Sequence, residues 1–357
     1  MTGRERVLSA IANEGYDRPP CKYFATPEVT AELMEYLGVT DYETLLLALG
    51  DDTREVNPLY CGPELRALPG NRQEGRWGEI IQQQPDAMGS YGEVVYLPFE
   101  AIETVEEAEA IRFPQADWYD YSTIEPQCDA NSDYAIIAQN TGNLDFINGI
   151  SRCRGVEKVL LDIAEENPVF LTLVRRRFEF YYAQSEQILQ SANGKIDIIW
   201  CGEDLGNQNG LLISPKAFDK LFASYYEALF ALAHRYGAKT MMHSCGSVYR
   251  LIERLIALGL DILDVVQVDC KDMDIHTLQK QFGSRLCFSG SISVQSTLPF
   301  GTPKEVEREV ALRKALFPKG GLIFAPTHNI QIGTPMENIV AMYNAIQGLP
   351  PIQDHTM

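Results

Sequence analysis

The chain has 357 residues, 45% of them hydrophobic, enough to bury a large core and within the upper range of one α/β barrel. Its 49 acidic against 30 basic side chains leave a net charge of −19, which repels phosphate backbones and anionic lipid surfaces, so neither nucleic acid nor membrane is an expected partner. The opening segment carries Arg4, Glu5 and Arg6 where a secretory signal needs an apolar core, and no apolar run reaches the ~18 residues of a spanning helix, so a cytoplasmic protein is expected. The cysteines are scattered without any C-x-x-C, which reads as mostly reduced and buried.

In chain order, Arg4 to Asn13 reads as a helix and Cys21 to Phe24, after Arg18-Pro19-Pro20, as a short strand. Two further helices follow over Pro27 to Leu37 and Tyr42 to Leu49. Gly70 to Leu97, rich in Gly, Gln, Trp and Tyr, suggests a small antiparallel or irregular segment, and Glu106 to Glu109 a solvated helix face. Residues 1–130 are therefore expected to hold an N-terminal elaboration of one domain spanning 1–357.

Over 131–347 short apolar runs alternate with amphipathic helices, the pattern of parallel βα units. Strands are predicted at Tyr134 to Gln139, Ile196 to Cys201, Lys239 to His243, Ile262 to Val266, Leu286 to Ser289 and Leu322 to Ala325. Helices are predicted near Gly155 to Asn167, Val169 to Ala192, Pro215 to Tyr236, Val248 to Leu258, Asp274 to Phe282 and Pro303 to Phe317. Adding Cys21 to Phe24 and one strand hidden between residues 50 and 100 completes eight. The predicted fold class is α/β, a (β/α)8 TIM barrel with an N-terminal helical or irregular elaboration; a doubly wound open sheet is the alternative. No G-x-G-x-x-G or G-x-x-x-x-G-K-[ST] is present to hold a nucleotide. The residues after Gly348, His355 among them, read as a frayed tail.

In a barrel the catalytic groups sit on the loops after the strands, so the polar residues ending each apolar run are the informative ones. His243 and Cys245, two residues apart at a strand end, share a face, and imidazole with thiolate is a preferred zinc ligand pair. From local sequence alone, a buried histidine beside a packing cysteine explains the same residues as well. Glu203 and His328 follow two other strands and complete three protein ligands with an open position, the arrangement of a catalytic Lewis acid. Glu203 and Asp204 can equally cap a helix, and His328 can equally be a substrate hydrogen bonder. The loop Asn140 to Phe146 offers amides to a substrate at the same mouth. Cys201 reads as core, and Cys270, Cys287, His234 and His276 as structural or surface residues.

Several segments together resemble the uroporphyrinogen decarboxylase superfamily, in particular its cobalamin-linked methyltransferase branch. They are Asp17-Arg18-Pro19-Pro20, Gly202-Glu203-Asp204-Leu205-Gly206-Asn207-Gln208, His243-Ser244-Cys245-Gly246, Ser289-Gly290-Ser291-Ile292 and Gly333-Thr334-Pro335-Met336-Glu337-Asn338-Ile339. The decarboxylase holds an acidic tetrapyrrole with an arginine-rich N-terminal segment, whereas Cys21 to Pro27 has no arginine, which ranks decarboxylation second. The methyltransferase branch binds zinc through His-x-Cys and a distant Cys; here His328 stands in the distant position. A neutral imidazole in place of a thiolate leaves the metal a stronger Lewis acid, which favours an ether donor over a thiol acceptor.

The resemblance thus implies a zinc-dependent methyltransferase that demethylates a small methoxylated substrate and passes the methyl group to the Co(I) of a corrinoid protein. The alternatives are methyl transfer from a methylcobamide to a thiol coenzyme, and decarboxylation. It assigns zinc to His243, Cys245, His328 and Glu203, catalysis to Glu203 and His243, and substrate contacts to Asn140, Asn143 and Asp204. The cobalamin belongs to a partner protein, and homo-oligomers are allowed.

Overall fold

The structure is a computed structural model that describes residues 1–86 and 89–350; the expected tail beyond Pro350, with His355, lies outside the described residues. Seven strands form one parallel sheet: β1 (Thr53–Val56), β2 (Ala135–Leu144), β3 (Ile198–Gly202), β4 (Lys239–His243), β5 (Ile262–Val266), β6 (Cys287–Ile292) and β7 (Leu322–Pro326). Each pairs with the next in sequence, as βα units require.

The sheet closes through the segment at Cys21. On one side Phe324 N–H donates to the Pro20 carbonyl (2.9 Å) and Lys22 N–H to the Phe324 carbonyl (3.0 Å); on the other, Asp52 N–H donates to the Cys21 carbonyl (3.0 Å). This eighth stave makes the fold a (β/α)8 barrel, as predicted, and rules out the open sheet. The Asp17-Arg18-Pro19-Pro20 motif serves this closure. The buried Asp52 carboxylate accepts from Arg18 Nη1 (2.8 Å), Arg6 Nη1 (2.5 Å) and Cys21 N–H (3.0 Å), tying the stave to β1.

Covered on both faces, β3, β5, β6 and β7 are buried along their whole length. Alternate residues face inward, so Ala135, Ile137, Ile198, Trp200, Met241, Ile262, Cys287 and Ile323 fill the barrel. Val7 joins them from the helix Gly3–Ala12, which a capping box of Thr2 and Glu5 starts. That helix covers the N-terminal end of the barrel, where Arg4 N–H meets the Asp133 carbonyl and Gly321 N–H the Ala10 carbonyl. The C-terminal end is left for chemistry.

The first 130 residues are thus more than an elaboration, since they supply the closing stave, β1 and the covering helix. The predicted antiparallel segment is present as the strands Ala67–Leu68, Arg72–Glu74, Ile80–Asp86 and Gly89–Tyr96. Other expectations are corrected. The strand predicted to stop at Gln139 continues to Leu144 through a register shift, with Gln139 at φ 73°, so the expected loop from Asn140 is largely strand. The helix Phe146–Arg154 follows at once, and the helix expected over Pro215 to Tyr236 breaks at Phe222 into Pro215–Leu221 and Ala223–Arg235.

Candidate metal centre

Three side chains converge at the C-terminal mouth. His243 ends β4, Cys245 lies two residues on, and His328 follows β7; their nearest ligand atoms all lie within 4.8 Å of one another. His243 Nε2 is 3.3 Å from Cys245 Sγ, and the two imidazole centroids are 5.8 Å apart. The edges of a tetrahedral zinc site with N and S donors are about 3.3–3.8 Å. The His-x-Cys pair already has this spacing, and His328 offers the third donor within 4.8 Å of both. Soft thiolate and borderline imidazole are the donors zinc takes, so the residues fit that metal.

The groups behind the donors reinforce the fit. Asp264, on the neighbouring β5, takes His243 Nδ1 at 3.1 Å and also accepts from Ser289 Oγ at 2.7 Å. Burial pushes the Asp264 carboxyl up, but its hydrogen bonds with His243 and Ser289 overcome it and hold the group below its usual range. With Nδ1–H given to Asp264, the Nε2 lone pair faces the cluster, the carboxylate–histidine pattern that orients metal-binding imidazoles. Burial lowers the His328 pKa, as does neighbouring His243, favouring the neutral ring that ligation needs. Burial, with Asp204 nearby, raises the Cys245 thiol, so a cation must supply the charge that stabilises its thiolate. Asp264→Asn is expected to weaken zinc binding about 10–100-fold with the fold intact, read by competition with a chromophoric chelator; an unchanged affinity contradicts the orienting role.

The glycines of the two motifs have a packing reason. Gly246 has φ 82°, and a Cβ there would run into the backbone of Gly206 and come within 2.6 Å of Asn207 N. The loops after β3 and β4 cross backbone against backbone, which brings Asp204 to Cys245. Asp204 Oδ1 accepts from Cys245 N–H (2.9 Å) and lies 3.8 Å from His243 Nε2, while Oδ2 accepts from Asn148 Nδ2 (2.9 Å).

Glu203, expected as a fourth ligand or proton donor, is placed elsewhere. Its carboxylate is 1% exposed and accepts from Phe146 N–H (2.7 Å), Ile147 N–H (3.0 Å) and Tyr226 Oη (3.1 Å), capping the helix Phe146–Arg154. Asp204, the next residue in the loop past the end of β3, rather than Glu203, is the carboxylate beside the cluster, with Oδ1 3.8 Å from His243 Nε2. Burial and the charge of Asp145 both raise the Glu203 pKa. Asn140 is exposed, its Oδ1 held by Gly142 N–H at 2.9 Å; Asn143 is buried with Nδ2 unpartnered.

Sequence reasoning passed over Asp264, Lys22, Phe24 and Trp200. Asp264 sits inside an apolar run, and a buried acid in a strand was the available signal. Phe24, beyond the closing stave's bridge, lies 6.1 Å from the His328 ring and 5.9 Å from Trp200. Lys22 Nζ stands 4.1 Å over the Trp200 ring and pairs with Glu55 at 3.2 Å.

The molecule is therefore of the class of (β/α)8 barrels with a two-histidine, one-cysteine donor cluster at the C-terminal mouth. Over residues 197–349, which hold all three donors, it matches the family model of uroporphyrinogen decarboxylase (URO-D), and the superfamily resemblance read from the motifs stands. A methyltransferase from Methanosarcina mazei has a similar structure, with a TM-score of 0.68 at 16% identity, over 98% of this chain and 99% of the other. A B12-independent methionine synthase from Shewanella sp. W3-18-1 in complex with selenomethionine matches at a TM-score of 0.38 and 11% identity, over 75% of this chain and 72% of its own. That similarity is too low to carry an argument. No curated protein matches significantly. Among the described residues no helix is long and apolar enough to cross a membrane.

Proposed function

We propose that the protein is a zinc-dependent methyltransferase that demethylates a small methoxylated compound, an aromatic methyl ether being the favoured donor, and passes the methyl group to the Co(I) of a separate corrinoid protein. The observation that carries the reading is the convergence of His243, Cys245 and His328 at the open end of the barrel. The full-length similarity of fold to a methyltransferase supports it.

An unactivated ether has a poor leaving group, and zinc held by these three side chains would supply Lewis acidity at its oxygen. The chain's own residues do the remaining work. Asp264 keeps His243 in one tautomer and one orientation. Asp204, beside His243 Nε2 and 31% exposed at its side chain, is the group placed to relay a solvent proton to the departing oxygen. The half-buried Phe24 ring, 6.1 Å from His328 and backed by the buried Trp200, offers an apolar surface on which an aryl group packs.

The test combines elemental analysis with a screen of methoxylated compounds in the presence of a reduced corrinoid protein. About one zinc per chain and chelator-sensitive release of the demethylated alcohol are expected. Full activity in metal-free protein, or no demethylation by zinc-loaded protein across the screen, overturns the reading.

A further inference from the structure

A second concave site lies away from the metal cluster, in the insertion between β1 and β2. A cavity of about 250 Å³ is lined by the aromatic residues Tyr60, Trp77, Phe99 and Trp118 and by Glu64, Glu74, Arg76 and Arg112. That volume is at the small end of ligand pockets and holds one ring with a short substituent. The walls are mostly aromatic faces; of the charged groups that line them, Glu74 is held by Arg66, so Arg76 and Arg112 outnumber the one remaining carboxylate, the exposed Glu64, a balance that suits a flat ligand with an anionic end.

Among the described residues no ion pair involves Arg76 or Arg112, although the chain carries 49 acidic side chains. Glu74, which also lines the cavity, is taken by Arg66 at 2.8 Å. The protein holds the two guanidiniums with aromatic groups instead. Arg76 Nη1 donates to Tyr119 Oη at 2.5 Å, and the Arg112 guanidinium stands 4.9 Å from the centroid of the Trp118 ring. Both guanidiniums line the same cavity. Such contacts fix the direction of a guanidinium and leave its charge free for a ligand.

The inner wall is rigid. Trp77 packs edge-on against Phe113 (5.2 Å) and Phe180 (5.5 Å), and the Arg177 guanidinium covers it at 4.4 Å. A preformed aromatic slot loses little freedom when a planar ring enters it.

We propose that this cavity is a ligand site for a single-ring aromatic carboxylate, its ring against Trp77 and Trp118 and its carboxylate on Arg76 and Arg112. The site is independent of the metal cluster and of the reaction proposed there.

Isothermal titration with benzoate as the probe tests this on the full chain. Wild type is expected to bind one benzoate per chain, and to bind the neutral isostere benzamide and inorganic phosphate at least about tenfold more weakly. Arg76→Gln with Arg112→Gln is expected to weaken benzoate at least about tenfold. Both arginines are exposed, so the fold is not at stake, and Leu65→Trp, which narrows the cavity with both charges kept, is expected to weaken benzoate as well. His243→Ala protein is expected to bind benzoate as wild type does, which separates this site from the zinc reading. No benzoate binding by wild type, equal binding of benzoate and benzamide, phosphate binding as tightly as benzoate, or undiminished affinity in either cavity variant overturns the proposal. Loss of binding in His243→Ala alone places benzoate at the metal centre and overturns it too.

Discussion

His243→Ala and Cys245→Ser proteins are expected to bind zinc at least about a hundredfold more weakly than wild type while keeping wild-type circular dichroism. The magnitude follows from zinc site energetics: apparent binding free energies of about 10–16 kcal/mol at four-ligand sites leave several kcal/mol per ligand, and every 1.4 kcal/mol is a factor of ten. His243 has more to lose than His328, because its ring is oriented by Asp264 and its Nε2 already stands 3.3 Å from the thiol. His328→Ala therefore has the smaller expected effect, and a larger loss of zinc affinity in His243→Ala than in His328→Ala checks the reading. Demethylation is expected to fall in the same order. Wild-type zinc content in both His243→Ala and Cys245→Ser after dialysis would refute the centre.

Glu203→Ala is expected to lower stability by about 3–9 kcal/mol while the protein that remains folded retains its zinc. Removing the carboxylate leaves the Phe146 and Ile147 N–H groups and the Tyr226 hydroxyl without their acceptor in a fully buried place, at about 1–3 kcal/mol for each orphaned group. Glu203→Gln keeps one acceptor oxygen and is expected to fall between the two. Denaturant midpoints with zinc analysis on the same samples separate the roles. A Glu203→Ala protein of unchanged stability that has lost its zinc would return Glu203 to the ligand shell.

The barrel was legible because its strands carry their signal locally. Lys239 to His243 and Ile262 to Val266 are apolar runs punctuated by turn residues, and the structure reproduces both without a residue's change. Cys21 to Phe24 was legible only as an apolar fragment. Its membership of the sheet rests on hydrogen bonds to Phe324 and Asp52, more than 300 and about 30 positions away, which no local pattern encodes. The helix Phe146–Arg154 was hidden because Asn140, Gly142 and Asn143 read as a loop, whereas the strand bends at Gln139 and carries them on.

The sequence by itself determined which side chains stand at the mouth, because residues at strand ends in a βα repeat emerge at one end of a barrel whatever the register between strands. It determined the His243 and Cys245 pair for the same reason, since two residues of spacing is a local fact. Only the tertiary structure decided what those side chains do. It brought His328 to the pair across the barrel, put Asp264 behind His243 through the β4–β5 register, and turned Glu203 away onto the N-terminus of a helix that follows another strand. Adjacent acids such as Glu203 and Asp204 look alike in sequence. Just past the end of β3 they turn to different donors, Glu203 to the backbone N–H groups of Phe146 and Ile147 and Asp204 to the Cys245 N–H beside the cluster.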